Sequence, residues 1–259
     1  MSKPGSVEEL FSLAGRTALV TGGSRGIGQA MAEALAMAGA NLVISSRHED
    51  ELREALAAIM EGRPGEGIYV VADLANREEA AVLADAALER FGAVDVLVHN
   101  AGNTAHEACD EITDAAWDDV LGVHLNAAMA LTRALSPAMK ENRWGRIIFT
   151  TSLLAFQGMA ERGAYSAAKG ALTSLARGIA NDLGPYGITA NCIAPGAFAT
   201  EMQKRWLPPE LKAVVDGRST IGRGGEPEEL MGPVLLLASD AGSFISGSTI
   251  PVEGGWLAK

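Results

Sequence analysis

The chain has little of several things that would otherwise direct a reading of it. Cysteine is nearly absent, with Cys109 and Cys192 standing alone. Two thiols so placed make neither a disulfide framework nor a metal-ligand spacing, so no metal site is expected and a reducing compartment is. Basic charge is scarce: 21 Lys and Arg face 32 Asp and Glu, for a formal net charge of −11. No basic stripe offsets that excess, which argues against nucleic acid or an anionic membrane as partner. No apolar run approaches the roughly 20 residues of a membrane span, and residues 1–13 hold no signal-peptide core. A soluble, cytoplasmic protein is expected. Aromatics make up only 5%, which with 30 glycines suits many tight strand-to-helix turns rather than disorder.

What is present is a 48% hydrophobic chain of 259 residues, enough to bury a large core yet short enough for one α/β domain over 1–259. After a weakly structured arm at 1–14, residues 17–20 read as a buried strand, the turn 21–28 follows at once, and 29–38 reads as helix. In that context Gly22, Gly26 and Gly28 let a backbone approach a pyrophosphate closely, at a helix N-terminus whose free N–H groups favour anions. Ser24, Arg25 and Ile27 complete the turn. A second strand, 41–45, ends at Ser46 and Arg47. A carboxylate there would hold the adenosine ribose hydroxyls of NAD. Ser46 with Arg47 and Arg25 instead suits a 2′-phosphate, which guanidinium grips with a forked pair of hydrogen bonds, so NADP(H) is the expected cofactor. Against this, Arg47 facing plain solvent is the ordinary alternative.

A third strand, 68–72, ends at Asp73-Leu74, where Asp73 either caps the helix 76–91 or accepts from an adenine amino group. A fourth, 95–98, ends at His99 and then Asn100-Ala101-Gly102, small residues that let a ligand lie against backbone at the carboxyl edge of the sheet. Thr113 or Asp114 caps a long helix to about 141, with Leu121, Leu125, Met129, Thr132 and Leu135 as an apolar stripe and His124 between two of its members. A fifth strand, 146–151, delivers Ser152 to the same edge. In the helix 164–183, Tyr165 and Lys169 lie one turn apart on one face. A cation there favours the phenolate and brings a phenol of ordinary pKa near ~10 towards the working range. A surface pair on an amphipathic helix is the competing reading. A sixth strand, 188–194, leads into Pro195-Gly196. Residues 197–225 are irregular and read as a lid carrying Phe198, Met202 and Trp206. A helix at 227–239 and a strand at 249–252 close the count. The alternation predicts a doubly wound Rossmann fold: one parallel seven-stranded sheet with helices on both faces.

In this order and spacing, the turn 21–28, Asp73, Asn100-Ala101-Gly102, Ser152, Tyr165-x-x-x-Lys169, Pro195-Gly196 with Thr200, and Val252-Glu253-Gly254-Gly255 resemble the short-chain dehydrogenase/reductase family over essentially the whole chain. The resemblance implies a nicotinamide cofactor, a homotetramer (or homodimer), and Ile193 and Thr200 beside the nicotinamide carboxamide. It implies that hydride from NADPH reaches a carbonyl carbon while Tyr165 protonates the oxygen, Lys169 holds the ribose and lowers the Tyr165 pKa, and Ser152 orients the carbonyl. Where the family usually has an asparagine holding a water in a proton relay, this chain has His124. Asn126, two positions on, is about 200° round the helix, so His124 is expected to stand in. Glu253 and His99 replace a usual Asp and a frequent Asn.

Within the family the chain is similar to gluconate 5-dehydrogenase-like and 3-oxoacyl-(acyl carrier protein) reductase-like members. The expected pocket, with Leu154, Phe198, Met202 and Trp206, is apolar and suits a cyclic or aliphatic ketone. Arg162 is the nearby cation for an acidic substrate. Arg133, Lys140, Arg143, Arg146 and Arg177 would form the docking patch an acyl carrier protein needs. A different class also stands: an NADP-binding sensor or scaffold without turnover, favoured by His124 alone.

Overall fold

The computed structural model describes residues 5–199 and 209–259. Strands Thr17–Thr21 (β1), Asn41–Ser46 (β2), Gly67–Val71 (β3), Val96–His99 (β4), Gly145–Thr150 (β5), Ile188–Pro195 (β6) and Thr249–Val252 (β7) form one sheet in the order β3-β2-β1-β4-β5-β6-β7. Every neighbouring pair is parallel. A parallel sheet needs crossovers that cover both faces, so its strands are apolar nearly throughout. Successive side chains alternate between two cores. Leu19, Val43, Leu97 and Ile147 face one, against helices Arg77–Phe91 (α4), Ala127–Asn142 (α6) and Gly163–Leu183 (α7). Ala18, Val20, Leu42, Ile44 and Val98 face the other, against Gly26–Met37 (α2), Glu49–Met60 (α3) and Met231–Ala238 (α9). Each fully buried Leu, Ile or Val stabilises by about 1.5–3 kcal/mol relative to exposure. The strand order reverses between β1 and β4, which opens a crevice at the carboxyl edge there.

The remaining α-helices among the described residues are Val7–Phe11 (α1), Asp114–Leu121 (α5) and Pro209–Arg218 (α8). Five details differ from the sequence reading. The stretch 197–225, read as irregular, contains α8. The N-terminal arm contains α1, whose first turn Ser6 caps by accepting from the Glu9 amide. Asn76, not Asp73, caps α4. Residues 227–239 split into a 3₁₀ turn at Pro227–Leu230 and then α9. Most consequential, the long helix is broken by a π-helical turn at Gly122–Asn126 between α5 and α6. The π-turn shifts the helical phase, so α6 buries Ala127, Ala128, Leu131, Thr132 and Leu135 while Met129 turns outward. Such turns often mark functional sites.

Candidate active site

The carboxyl ends of β1, β2, β4, β5 and β6 open into one cavity of about 520 Å³. Its first wall is the glycine turn. Gly22 has φ +64, and a Cβ on Gly28 would lie 2.0 Å from the Gly22 carbonyl oxygen, so the turn closes only with glycine at these places. The helix behind it, α2, begins at Arg25 with no side-chain cap. Its first-turn N–H groups stay available for an anion. The Asn100 amide ties the turn down, donating to Thr21 O and Gly22 O at 3.2 Å each.

Next along the edge, Ser46 and Arg47 line the cavity as expected. The structure adds a residue that sequence reasoning missed. Glu51, in the first turn of α3, accepts from Ser24 Oγ at 3.3 Å and meets Arg25 Nη1 at 3.4 Å. Both partners are well exposed, so this ion pair is weak and replaceable. Its only mark in sequence was an acid in a first helical turn, an ordinary place for one.

Deeper in, His99 organises the π-turn. Its Nε2–H donates to Val123 O at 3.0 Å and His124 O at 3.1 Å, so Nδ1 accepts from the Thr21 hydroxyl at 3.1 Å. The Thr21 oxygen in turn accepts from the amides of Asn100 and Ala101, each at 3.0 Å. Every polar atom in this set is matched. Burial, with the Lys169 charge nearby, holds the His99 imidazole down to about 4, so it stays neutral. His124 is buried as well and lies well below the ordinary histidine range for the same two reasons. Its Nε2 lies 2.9 Å from Asn103 O and 3.3 Å from the Asn103 amide nitrogen, so it donates to the one or accepts from the other according to the tautomer. His124 Nδ1 is buried with no hydrogen-bond partner among the described residues. Gly102 makes room for this ring, since a Cβ there would fall 2.3 Å from His124 Cε1.

Ser152, Tyr165 and Lys169 converge on the same cavity. Ser152 Oγ accepts from the Leu154 amide at 3.1 Å, and its O–H donates to the Tyr165 phenol oxygen. The His124 and Tyr165 rings meet edge to face, with centroids 5.5 Å apart. Lys169 follows one helical turn after Tyr165 in α7. Its Nζ lies 5.4 Å from the centroid of the Tyr165 ring and donates to Thr150 O at 2.7 Å. Burial brings Lys169 down to about 7. Burial also dominates at Tyr165 and raises its pKa, against the smaller opposing pulls of the Ser152 hydrogen bond and the Arg162 charge. The phenol therefore keeps its proton at neutral pH.

Asp73, Leu74, Ala101, Pro195, Gly196, Ile27, Leu154 and Phe198 also line the cavity. Ile193 does not. Its side chain is buried in a core and its carbonyl accepts from Thr151 N at 2.7 Å. Thr200, Met202 and Trp206 lie outside the described residues. Asn103, Thr104, His106, Val215 and Trp256 line the cavity without having been foreseen. Val215 comes from α8 and the others from irregular segments or the chain end, where no period signals a role. Of the basic residues expected to dock an acyl carrier protein, Arg146 is buried, so that patch is not assembled as predicted.

A glycine-walled crevice beside a serine, a tyrosine and a lysine defines a dinucleotide-dependent oxidoreductase of the Rossmann class. The family described as "Enoyl-(Acyl carrier protein) reductase" matches residues 22–257, and the chain belongs to the short-chain dehydrogenase/reductase family. It is 36% identical to a 2-dehydro-3-deoxy-D-gluconate 5-dehydrogenase of Pseudoalteromonas atlantica, covering 97% of this chain and 99% of that one. It is also 36% identical to a 3-oxoacyl-[acyl-carrier-protein] reductase of Pseudomonas aeruginosa, over 95% and 98% of the two chains. Among solved structures, a gluconate 5-dehydrogenase from Burkholderia cenocepacia in complex with NADP and tartrate superposes with a TM-score of 0.91 at 33% identity, covering 98% and 100%. No helix among the described residues is long and apolar enough to cross a membrane.

Proposed function

We propose that the protein is an NADP(H)-dependent oxidoreductase that interconverts a ketone and a secondary alcohol, with Tyr165 as the general acid/base. The observation that carries this is the convergence of a protonated phenol and the Ser152 hydroxyl bonded to it on the cavity that the glycine turn also lines. The site fits the cofactor in two respects. The α2 N-terminus and the Gly22–Gly28 approach suit a pyrophosphate, and Arg25, Arg47 and His48 outweigh Glu51 where a 2′-phosphate would lie.

When bound, NADPH supplies the hydride that goes to the carbonyl carbon. The chain does the rest. Ser152 donates to the carbonyl oxygen and orients it. Tyr165 then transfers its proton to that oxygen as the C=O electron pair moves onto it, giving the alcohol. The two donors are set where negative charge develops. Lys169 holds the cofactor's ribose hydroxyls. His124 Nδ1 holds a water through which Tyr165 regains its proton. His124 thus serves where an asparagine is usual.

The test is NADPH oxidation against a panel of ketones, with Tyr165→Phe and His124→Asn beside the parent chain. Turnover by the parent and its loss in Tyr165→Phe supports the reading; equal rates in both refute it. The quaternary reading, a homotetramer, draws on Trp117 and Met129, which stay exposed on α5 and α6. Analytical ultracentrifugation tests it, and a monomer would end it.

A further inference from the structure

The protein carries a net charge of −11, yet the charge around its cavity is not distributed that way. The two acidic side chains among the lining residues, Glu51 and Asp73, lie at the β2–β3 end, with the glycine turn. At the other end, beyond Tyr165, the ionisable groups are Arg162 and His106, and no described acidic side chain lines that end.

Arg162 is placed there at some expense. It occupies the N-cap of the 21-residue helix α7, where the helix dipole disfavours a cation. The residue before it, Glu161, takes the left-handed backbone at φ +59, a conformation that L side chains rarely adopt. Tyr165 follows three positions later, so both side chains share one face of the helix and one cavity. Among the described residues Arg162 forms no ion pair, and the one hydrogen bond given by its guanidinium runs from Nη1 to the Glu161 carbonyl at 3.2 Å. Guanidinium has five N–H donors in a fork that matches carboxylate, so most of that capacity is unspent. Partial burial and the neighbouring Glu161 and Tyr165 mark the group as lying inside the cavity mouth rather than in open solvent. Its charge also reaches His106, whose pKa is lowered by burial first and by Arg162 second.

We infer that Arg162 is a substrate-anion site, and that the ketone or alcohol turned over here bears a carboxylate a few atoms from the reacting carbon. This inference rests on the reductase reading above and narrows it to oxo and hydroxy acids. The carbonyl sits between Ser152 and Tyr165 while the carboxylate pairs with Arg162. Leu154, Met159 and Phe198 flank the carbon skeleton between them. An uncharged substrate leaves the guanidinium unpaired at a helix terminus that repels it.

The experiment compares linear oxo acids, with the ketone at carbon 3, 4 or 5, against their methyl esters. NADPH oxidation is followed in the parent chain, Arg162→Gln and Arg162→Lys. The parent prefers at least one acid to its ester by about 30-fold in kcat/KM, the worth of a charge-assisted hydrogen-bond pair. Arg162→Gln erases that preference through KM. An NADPH dissociation constant and an unfolding midpoint equal to the parent's show that the variant is folded. Arg162→Lys restores part of the preference, having charge without the fork. Equal rates on acids and esters in the parent, or a parallel loss on both in Arg162→Gln, overturn the inference and leave the reductase reading standing. No reduction of any acid or ester by the parent would overturn both.

Discussion

The two edges of the sheet are built from similar residues and behave oppositely. At the amino edge, Arg16, Asp95, Trp144, Arg146 and Asp240 are fully matched. Asp95 accepts from Arg16 Nη1 and from the Thr17 amide, both at 2.9 Å. Arg146, 1% exposed, donates to Ser239 O at 3.1 Å, Gly145 O at 2.9 Å and Asp240 Oδ1 at 3.1 Å. The Trp144 ring is stacked by both arginines, at 4.0 and 4.2 Å. At the carboxyl edge, Ser45 Oγ, Thr150 Oγ1 and His124 Nδ1 are buried without partners among the described residues. Buried polar groups are nearly always matched, so these three beside the cavity mark where something else is to be bound, although Thr189 Oγ1 at the amino edge is unmatched as well. One edge spends its polar groups on stability; the other holds them in reserve for chemistry.

Breaking the amino edge should produce the largest change in stability. Arg146→Ala leaves buried carbonyls and Asp240 without their donor and is expected to lose about 3 kcal/mol. Urea unfolding measures it, and kcat below the transition should be unchanged.

The carboxyl edge should show instead as acid sensitivity. The folded His99 sits at about 4 against an unfolded value near 6.5. Between those values the unfolded chain holds the extra proton, so stability rises with pH across this window and is lost as pH falls from 6.5 to 4. His99 contributes about 3 kcal/mol to that loss. His99→Asn cannot titrate, so its stability curve should be flatter between pH 6.5 and 4 by one proton; an unchanged slope would show that His99 is not the group.

Smaller effects belong to the cofactor end. Arg47→Ser should lower the preference for NADPH over NADH by about 10-fold, one lost charge-assisted contact. Glu51→Gln frees Arg25 from its weak pair, and NADPH should then bind about 2- to 3-fold more tightly, on the scale of an exposed ion pair. Dissociation constants from NADPH fluorescence distinguish both from no change.

Much of this was legible in the sequence because it is local. Strand ends and glycines set the turn 21–28, and the helical period set Tyr165 beside Lys169. The π-turn at Gly122–Asn126 was not, because a single extra residue per turn leaves no mark in composition and keeps hydrophobic spacing plausible on either side. It is why Met129, in an apolar stripe read as core or subunit contact, turns outward. Lys169 was rightly placed on the Tyr165 face, but which atom of the phenol it approaches depends on Thr150 O, on another strand. Arg146 looked like surface charge because its partners, Ser239 and Asp240, lie 93 and 94 residues away in sequence. Glu51 escaped notice for the same reason.

The most direct test measures ketone-dependent NADPH turnover and the unfolding midpoint on the same samples of Tyr165→Phe and Arg146→Ala. Tyr165→Phe should lose about 10³-fold in kcat, as for a missing general acid, and keep its midpoint. Arg146→Ala should lose its midpoint and keep kcat. If Tyr165→Phe turns over like the parent, or if Arg146→Ala loses kcat while its stability holds, the division of labour between the two edges is wrong.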